Sequence, residues 1–564
     1  MKSHLLKTLF VALGASVVIS SASLAVDVPN FAALDYVPAN TAFFSGSLEP
    51  FPMQKYLEAN KGLFAAGNPQ GMDELFSAGK PTDKFLNALI KGYFANVAEP
   101  EQFMKAYGLG DETRMLMYMV DFHPVLKLEV EDGDAFIATI MAAEKDSGLV
   151  GVEHEMGGVK YRSYLLRENT NNLFELVVAS HDGWVTITVA NRNGKNEHLK
   201  VALSSAKPAK SLNQTSILQD ITDKYGFDGA QLGYVDHRIL VDKFTSTEPI
   251  AFVTENDWKE LAEIQTPACR AEFADIAKAW PRTVMGTSKF LITDTEYSAD
   301  SLTIIESTNK ATNDALIDLR GFIPAHIGGA ADQVISLAFG LNANKMTGAL
   351  TALWSAATSV KYECAPLAEM QQDLMVANPA SLGLFAGMAQ GVMGLSATVY
   401  EADITMPSME TPQINALDVL ISLASENPVS QLQTGSMMLP ILRGVNIPAD
   451  GTPVVLNDVL PQVNMLGGQT LAAISGKHLN VYKGGEAAKG SAALKDEAID
   501  ANGFFEIYMH FGKLFRVLSK AMEGNDDPAI EQFKALSDSK MKLRMAMDFT
   551  ENGVEIAADM DVKY

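Results

Sequence analysis

Lys289-Phe-Leu-Ile-Thr-Asp-Thr-Glu-Tyr-Ser-Ala-Asp-Ser-Leu-Thr-Ile-Ile-Glu306 and Lys542-Leu-Arg-Met-Ala-Met-Asp-Phe-Thr-Glu-Asn-Gly-Val-Glu-Ile-Ala-Ala-Asp559 spell the same hairpin about 250 residues apart. In each, alternating residues run into an aromatic, Tyr297 or Phe549, then a polar turn, then a second alternating strand. A repeat at that spacing predicts two copies of one α+β unit.

Working outward, each unit opens the same way. Tyr36-Val-Pro-Ala-Asn-Thr-Ala-Phe-Phe-Ser-Gly-Ser-Leu48 is a Pro-Ala start into a strand, and apolar residues at helical spacing follow over 53–63. Phe322-Ile-Pro-Ala-His326, a strand over 334–340 and a helical run over 345–354 repeat that plan. In the middle of the first unit, 115–130 reads as strand, 135–145 as helix, and 153–165 and 173–190 as antiparallel strands. Their counterparts are 392–404, 413–425, 453–456 and 469–475. Strands and helices in mixed order, without regular βαβ alternation, predict an α+β fold with antiparallel sheets and amphipathic helices. The expected boundaries are 33–309 and 316–564, with the seam at 310–320.

The first 25 residues read as an export signal. Lys2 and Lys7 make a positive start, Leu9 to Ile19 is apolar, and Ser23-Leu24-Ala25 offers small residues before a cut after Ala25. The apolar run is too short to span a bilayer comfortably, although an uncleaved anchor is the alternative. The expected destination is the periplasm. Without Lys2 and Lys7, the 44 Lys and Arg fall to 42 against 68 Asp and Glu, a formal charge of −26. That field repels phosphate backbones and anionic membrane surfaces, so neither is an expected partner. Residues 374–400 carry no charge and include Gly383-x-x-x-Gly387-x-x-x-Gly391, a spacing known from packed membrane helices. Asn378, Pro379 and Gln390 interrupt it, so a helix followed by a strand is expected, and no membrane span after signal removal.

Cys269 and Cys364 are the 2 cysteines of the chain. In an oxidising compartment a pair predicts a disulfide, here one stapling the end of the first unit to the start of the second. Two unpaired buried thiols are the alternative. No Cys-x-x-Cys marks a redox or zinc site.

The motifs that carry chemistry are thin. Ser204-Ser-Ala-Lys207 and Ser537-Asp-Ser-Lys540 match Ser-x-x-Lys, in which a lysine one helical turn away activates a serine. The companions of that motif are missing: Ser211-Leu-Asn213 lies only seven residues on, and Lys483-Gly-Gly485 merely approximates Lys-Thr-Gly. Both matches read as chance. His154-Glu155 begins a zincin motif, but Gly158 stands where the second histidine belongs. Asp236-His237 and His181-Asp182 are neighbours in sequence and so point to opposite faces of a strand. Glu129, Glu131, Asp132 and Asp134 lack calcium-loop spacing and read as a solvated turn. No catalytic residue, metal site or cofactor is predicted.

Methionine is the least ordinary feature, with 26 in the chain. Met115, Met117 and Met119 project from one strand face, and Met388 and Met393 occupy the corresponding segment of the second unit. Core packing is the ordinary reading of such residues. An adaptable groove between the halves, taking an apolar or peptide-like ligand or an envelope protein, is the functional one. Soft thioethers also suit Cu(I), so a copper carrier is a further alternative.

Taken together, the signal, the Pro-Ala start and the duplicated strand–helix units resemble exported bacterial proteins of domain-of-unknown-function families. The resemblance covers most of the mature chain and carries no catalytic residue across. The expectation is a non-enzymatic, soluble periplasmic binding or envelope-support protein. The rival is a periplasmic hydrolase whose site is assembled from residues far apart in sequence.

Overall fold

The computed structural model describes residues 31–563 except 62–63, 65–78, 170–171, 249, 251–254, 330–331, 380–382, 406–412 and 523–528. The expected signal peptide, residues 1–25, lies outside the described residues.

The first half supplies strands β1 (Phe43–Gly46), β2 (Met115–Val120), β3 (His123–Glu129), β4 (Val152–Met156), β5 (Val159–Asn169), β6 (Asn172–His181), β7 (Trp184–Asn191), β8 (Leu232–Asp236), β9 (Arg282–Ile292) and β10 (Glu296–Glu306). The second supplies β11 (Ile335–Gly340), β12 (Val392–Thr405), β13 (Gln413–Ser425), β14 (Val454–Val455), β15 (Leu471–Ser475), β16 (His478–Lys483), β17 (Phe505–His510), β18 (Lys542–Thr550) and β19 (Gly553–Lys563).

Every pairing among them is antiparallel. In space the first half runs β4-β5-β6-β7-β3-β2-β1-β8-β9-β10. The second runs β14-β15-β16-β13-β12-β11-β17-β18-β19. The halves meet edge to edge, β10 against β19, from Glu296↔Lys563 to Glu306↔Gly553. One 19-stranded sheet results among the described residues. From the meeting edge outward the two strand orders match position for position, except that the first half adds β4 at its far end. Local chemistry matches too: Asp236 at the end of β8 caps the helix His237–Phe244, and His510 at the end of β17 caps Phe511–Ala521.

The expected hairpins form, but one is out of register with the reading above. The second turns at Glu551 and Asn552, after Phe549, as its sequence predicts. The first turns at Thr293 to Thr295, ahead of Tyr297, which lies inside β10. Thr293 closes that turn, its N–H donating to Glu296 O at 2.8 Å and its hydroxyl accepting from Glu296 N at 3.1 Å. Ser298-Ala299-Asp300 had the polarity of a turn. It is strand because β10 has partners on both sides, β9 and β19, which satisfy its backbone groups in the ladder. The seam residues 310–320 are mostly helix, Lys310–Leu319, and Leu316 and Leu319 pack it onto Phe549 and Val554 of the second half.

The disulfide is formed. Cys269 in the first turn of the helix Pro267–Ala279 is bonded to Cys364, at the start of the helix Ala365–Val376. Among the described residues no helix is long and apolar enough to cross a membrane. Residues 374–400 hold the end of one helix, the short helix Gly383–Met388 and the start of β12.

Candidate functional site

In the first half both faces of the sheet are covered. Phe44, Leu116, Tyr118, Val125 and Val284 build a core on one face, while Leu128, Val185 and Ile187 meet Phe85, Phe136 and Ile140 of two helices on the other. The second half departs from this. Its covered face carries Ser336 and Ala338 on β11, Ser396 and Thr398 on β12, and Ser422 and Ala424 on β13, all buried. Tyr400, Leu420 and Met393 are buried with them, and the opposite face carries large apolar residues as well.

Phe339 is 46% exposed, Leu395 50% and Ile421 46%. Cross-strand registry makes them one surface: Leu423 faces Leu395, Leu395 faces Phe339, Phe339 faces Phe505, and Phe505 faces Met547. The Phe339 and Phe505 rings lie 5.0 Å apart. Two packed groups border the strip. At one side Phe549 and Val554 lie under the helix Ala343–Thr358. At the other, Leu479 and Val481 lie under Val429 and Leu432 of the helix Pro428–Met438. Between them nothing polar replaces the Leu, Ile, Phe and Met side chains. The C-terminal end of that second helix is itself apolar and exposed, with Met437 77% exposed and Met438, Leu439 and Ile441 also open. An antiparallel sheet with one solvated face ordinarily alternates apolar-in and polar-out. Here the open face of β11 to β13 is apolar instead of polar, and large exposed apolar patches mark interaction surfaces.

The predicted methionines are placed as follows. Met115, Met117 and Met119 are half-buried on one face of β2, opposite the buried Leu116, Tyr118 and Val120. Met119 borders a cavity of about 380 Å³ with Phe122 and Ile239. Met388 ends the short helix Gly383–Met388 and is half-buried, and Met393 is buried against Phe322, Ala424 and Ile499. Eight strands separate β2 from β12, so the two methionine groups are not brought together. A cavity of about 460 Å³ does lie at the meeting edge of the halves, but Lys289, Lys542, Lys563 and Asp561 line it.

The serine motifs also resolve. Lys207 points to Asp35 at 2.6 Å, and Ser537 donates to Lys534 O, so neither Ser-x-x-Lys is a dyad. Ser204 has a different lysine beside it: Lys127 on β3 donates to Ser204 Oγ at 2.8 Å and to Thr186 Oγ1 at 3.0 Å. Burial lowers the Lys127 ammonium to about 8. No sequence signal marked this lysine, because the 77 positions between it and Ser204 are closed only by the fold. Asp132, one of the clustered acids, caps the helix Gly133–Ser147, and Glu129 pairs with Arg114. Among the described residues no group of three His, Cys, Asp or Glu is placed to hold a metal ion.

No family model, curated protein or solved structure matches the chain. The reading of its function therefore rests on geometry.

Proposed function

We propose that this is an exported, soluble protein of the periplasm that binds an apolar or peptide-like ligand, and that its two halves are copies of one ancestral α+β unit. One observation carries the binding reading: Phe339, Leu395 and Ile421 stand about half exposed on the open face of β11, β12 and β13, in one apolar surface. Folding alone would favour covering them, because full burial of such a side chain is worth roughly 1.5–3 kcal/mol and about half of that is forfeited here. The acidic surface keeps a protein with such a patch dispersed and turns away anionic partners. The matching strand order outward from β10 and β19 supports the duplication.

The test uses the mature protein and the dye N-phenyl-1-naphthylamine. Saturable fluorescence enhancement that is lost in the Leu395→Gln, Ile421→Gln double variant, with folding unchanged, supports the reading. Absence of saturable binding, or binding indifferent to both substitutions, overturns it. Export is tested by mass spectrometry, which should find the mature chain beginning at Val26; an intact Met1 end overturns cleavage after Ala25.

A further inference from the structure

On the face of the first half that carries Leu116 and Tyr118 lies a lysine without an acid to neutralise it. Lys127 is 2% exposed, and among the described residues it has no ion-pair partner. Its Nζ is held between two hydroxyls, Ser204 Oγ at 2.8 Å and Thr186 Oγ1 at 3.0 Å. The architecture does not require a lysine here. A single row of cross-strand partners runs from Lys127 through Leu116, Gly46 and Leu302 to Ala557 and on to Ser422. Where Lys127 stands opposite Thr186 in the first half, Ser422 stands opposite Asn480 in the second. The matching strand crossing is thus built from neutral side chains.

Ser204 is unusual as well. It follows the helix His198–Ala202, is partly open to solvent, and has φ of 61°, a left-handed conformation rare for a residue with a Cβ. Backbone held in that region concentrates at functional sites. Its own N–H is used by Val201 O, but among the described residues the N–H of Ser205 has no hydrogen-bond partner. A free N–H on the residue after a nucleophile is the usual donor to an oxyanion. The turn at Gly157 lies directly over Ser205, since a Cβ on Gly157 would come within 2.6 Å of its Cβ.

We propose that Ser204 and Lys127 form a nucleophile and general-base dyad that takes the acyl group of a carboxylic ester. Ser204 Oγ adds to the carbonyl carbon as neutral Lys127 Nζ removes the hydroxyl proton. The bond to the leaving alkoxide then breaks, and the alkoxide takes that proton from Lys127. Water repeats the two steps on the acyl-serine and releases the acid. Thr186 holds the amine toward Ser204. Depression of the lysine by burial supplies neutral amine near neutral pH, as this role needs. The other titratable groups on this face do not compete: His123 and His198 are stacked on each other at 3.5 Å and are held neutral by burial, and Glu175 is taken by Arg192 at 2.7 Å. This inference is independent of the apolar strip, which lies on the opposite face of the other half.

A fluorophosphonate probe reports such a serine, forming a P–O bond to Ser204 with loss of fluoride while the proton passes to Lys127. On the mature protein, peptide mapping should place the adduct on Ser204, and the rate of labelling should rise with a midpoint near pH 8. Ser204→Ala and Lys127→Met should each cut labelling at least tenfold, whereas Ser205→Ala should still be labelled. The proposal is overturned by an unmodified Ser204 in folded wild-type protein at pH 9, by an adduct mapping elsewhere, or by undiminished labelling in Lys127→Met. Should Lys127→Met not fold, the adduct position and pH profile of the wild-type protein decide alone. The Leu395→Gln, Ile421→Gln variant should be labelled normally, which keeps this test apart from the dye experiment.

Discussion

Cys269 and Cys364 are bonded across a Cα–Cα distance of 4.5 Å, tying the helix Pro267–Ala279 of the first half to the helix Ala365–Val376 of the second. The Glu272 carboxylate reinforces the junction by accepting from the N–H groups of Glu363 and Cys364 at 2.7 and 3.0 Å, at the positive end of the second helix. The halves are thus held by a covalent link at their helices and by the β10–β19 ladder in the sheet.

Breaking that link has a measurable cost. A bridge closing a separation of 95 residues constrains the unfolded chain by about 4–5 kcal/mol in the loop-entropy picture. The Cys269→Ser, Cys364→Ser variant should unfold at lower urea concentration by that order, and the wild-type protein should match it once reduced. Alkylation should find no free thiol before reduction.

The open strip should tolerate polar residues. Because Leu395 and Ile421 are about half exposed, replacing each with Gln should cost under about 1 kcal/mol, against about 2–5 kcal/mol for truncating a fully buried Leu such as Leu116 to Ala. Urea titration separates the two cases. A large loss at Leu395 would mean that its side chain serves the core rather than a ligand.

Acid should weaken the fold through buried imidazoles. Burial, with the neighbouring His123, lowers His198 to about 4, and burial, with His478, lowers His326 to about 4. Unfolded, each binds a proton near 6.5, so the unfolded state carries the extra proton between those values and stability falls as pH drops from about 6.5 to about 4. For His198 the loss approaches about 3 kcal/mol. Asp228, raised from 3.8 to about 6 by burial, works in the opposite direction over most of that range, below about pH 6. Urea titrations from pH 7 to pH 4 should show the decline, and His198→Gln should flatten it.

Lys127 should be costly to the fold whatever it does chemically. With its ammonium lowered to about 8 by burial, the native state is penalised at pH 7, and the penalty lifts as pH rises from about 8 to about 10.5. Lys127→Met should therefore raise stability at pH 7 by about 1–3 kcal/mol, with the gain shrinking toward pH 10.5. A loss of stability in that variant would assign the lysine a structural role.

Much of the architecture is legible in the chain. Alternation over 392–404 places β12 to within a residue, and helical spacing over 135–145 and 345–354 falls inside the helices Gly133–Ser147 and Ala343–Thr358. By contrast 413–425, matched above to the helix over 135–145, is strand β13. The duplicated hairpin points to two like-ordered halves, yet its register could not be read from polarity. Ser298 and Asp300 look like turn residues and Thr293 to Thr295 do not look different; the position of β19 on the far side of β10 decides between them.

Composition and periodicity by themselves determined the α+β class and the antiparallel strands, and they made Cys269 and Cys364 the expected pair. These depend on local propensity and on a count of two thiols, so the linear order suffices. Which face of the second half stays open, and which lysine stands beside Ser204, only the tertiary structure decided. An alternating strand has two faces, and sequence alone does not say which of them the helices will cover. The open position of Phe339, Leu395 and Ile421 follows from where the helices Ala343–Thr358 and Pro428–Met438 come to rest. Lys127 likewise meets Ser204 because β3 lies between β2 and β7 in the sheet and the helix His198–Ala202 packs on those two strands, a contact that no local pattern encodes.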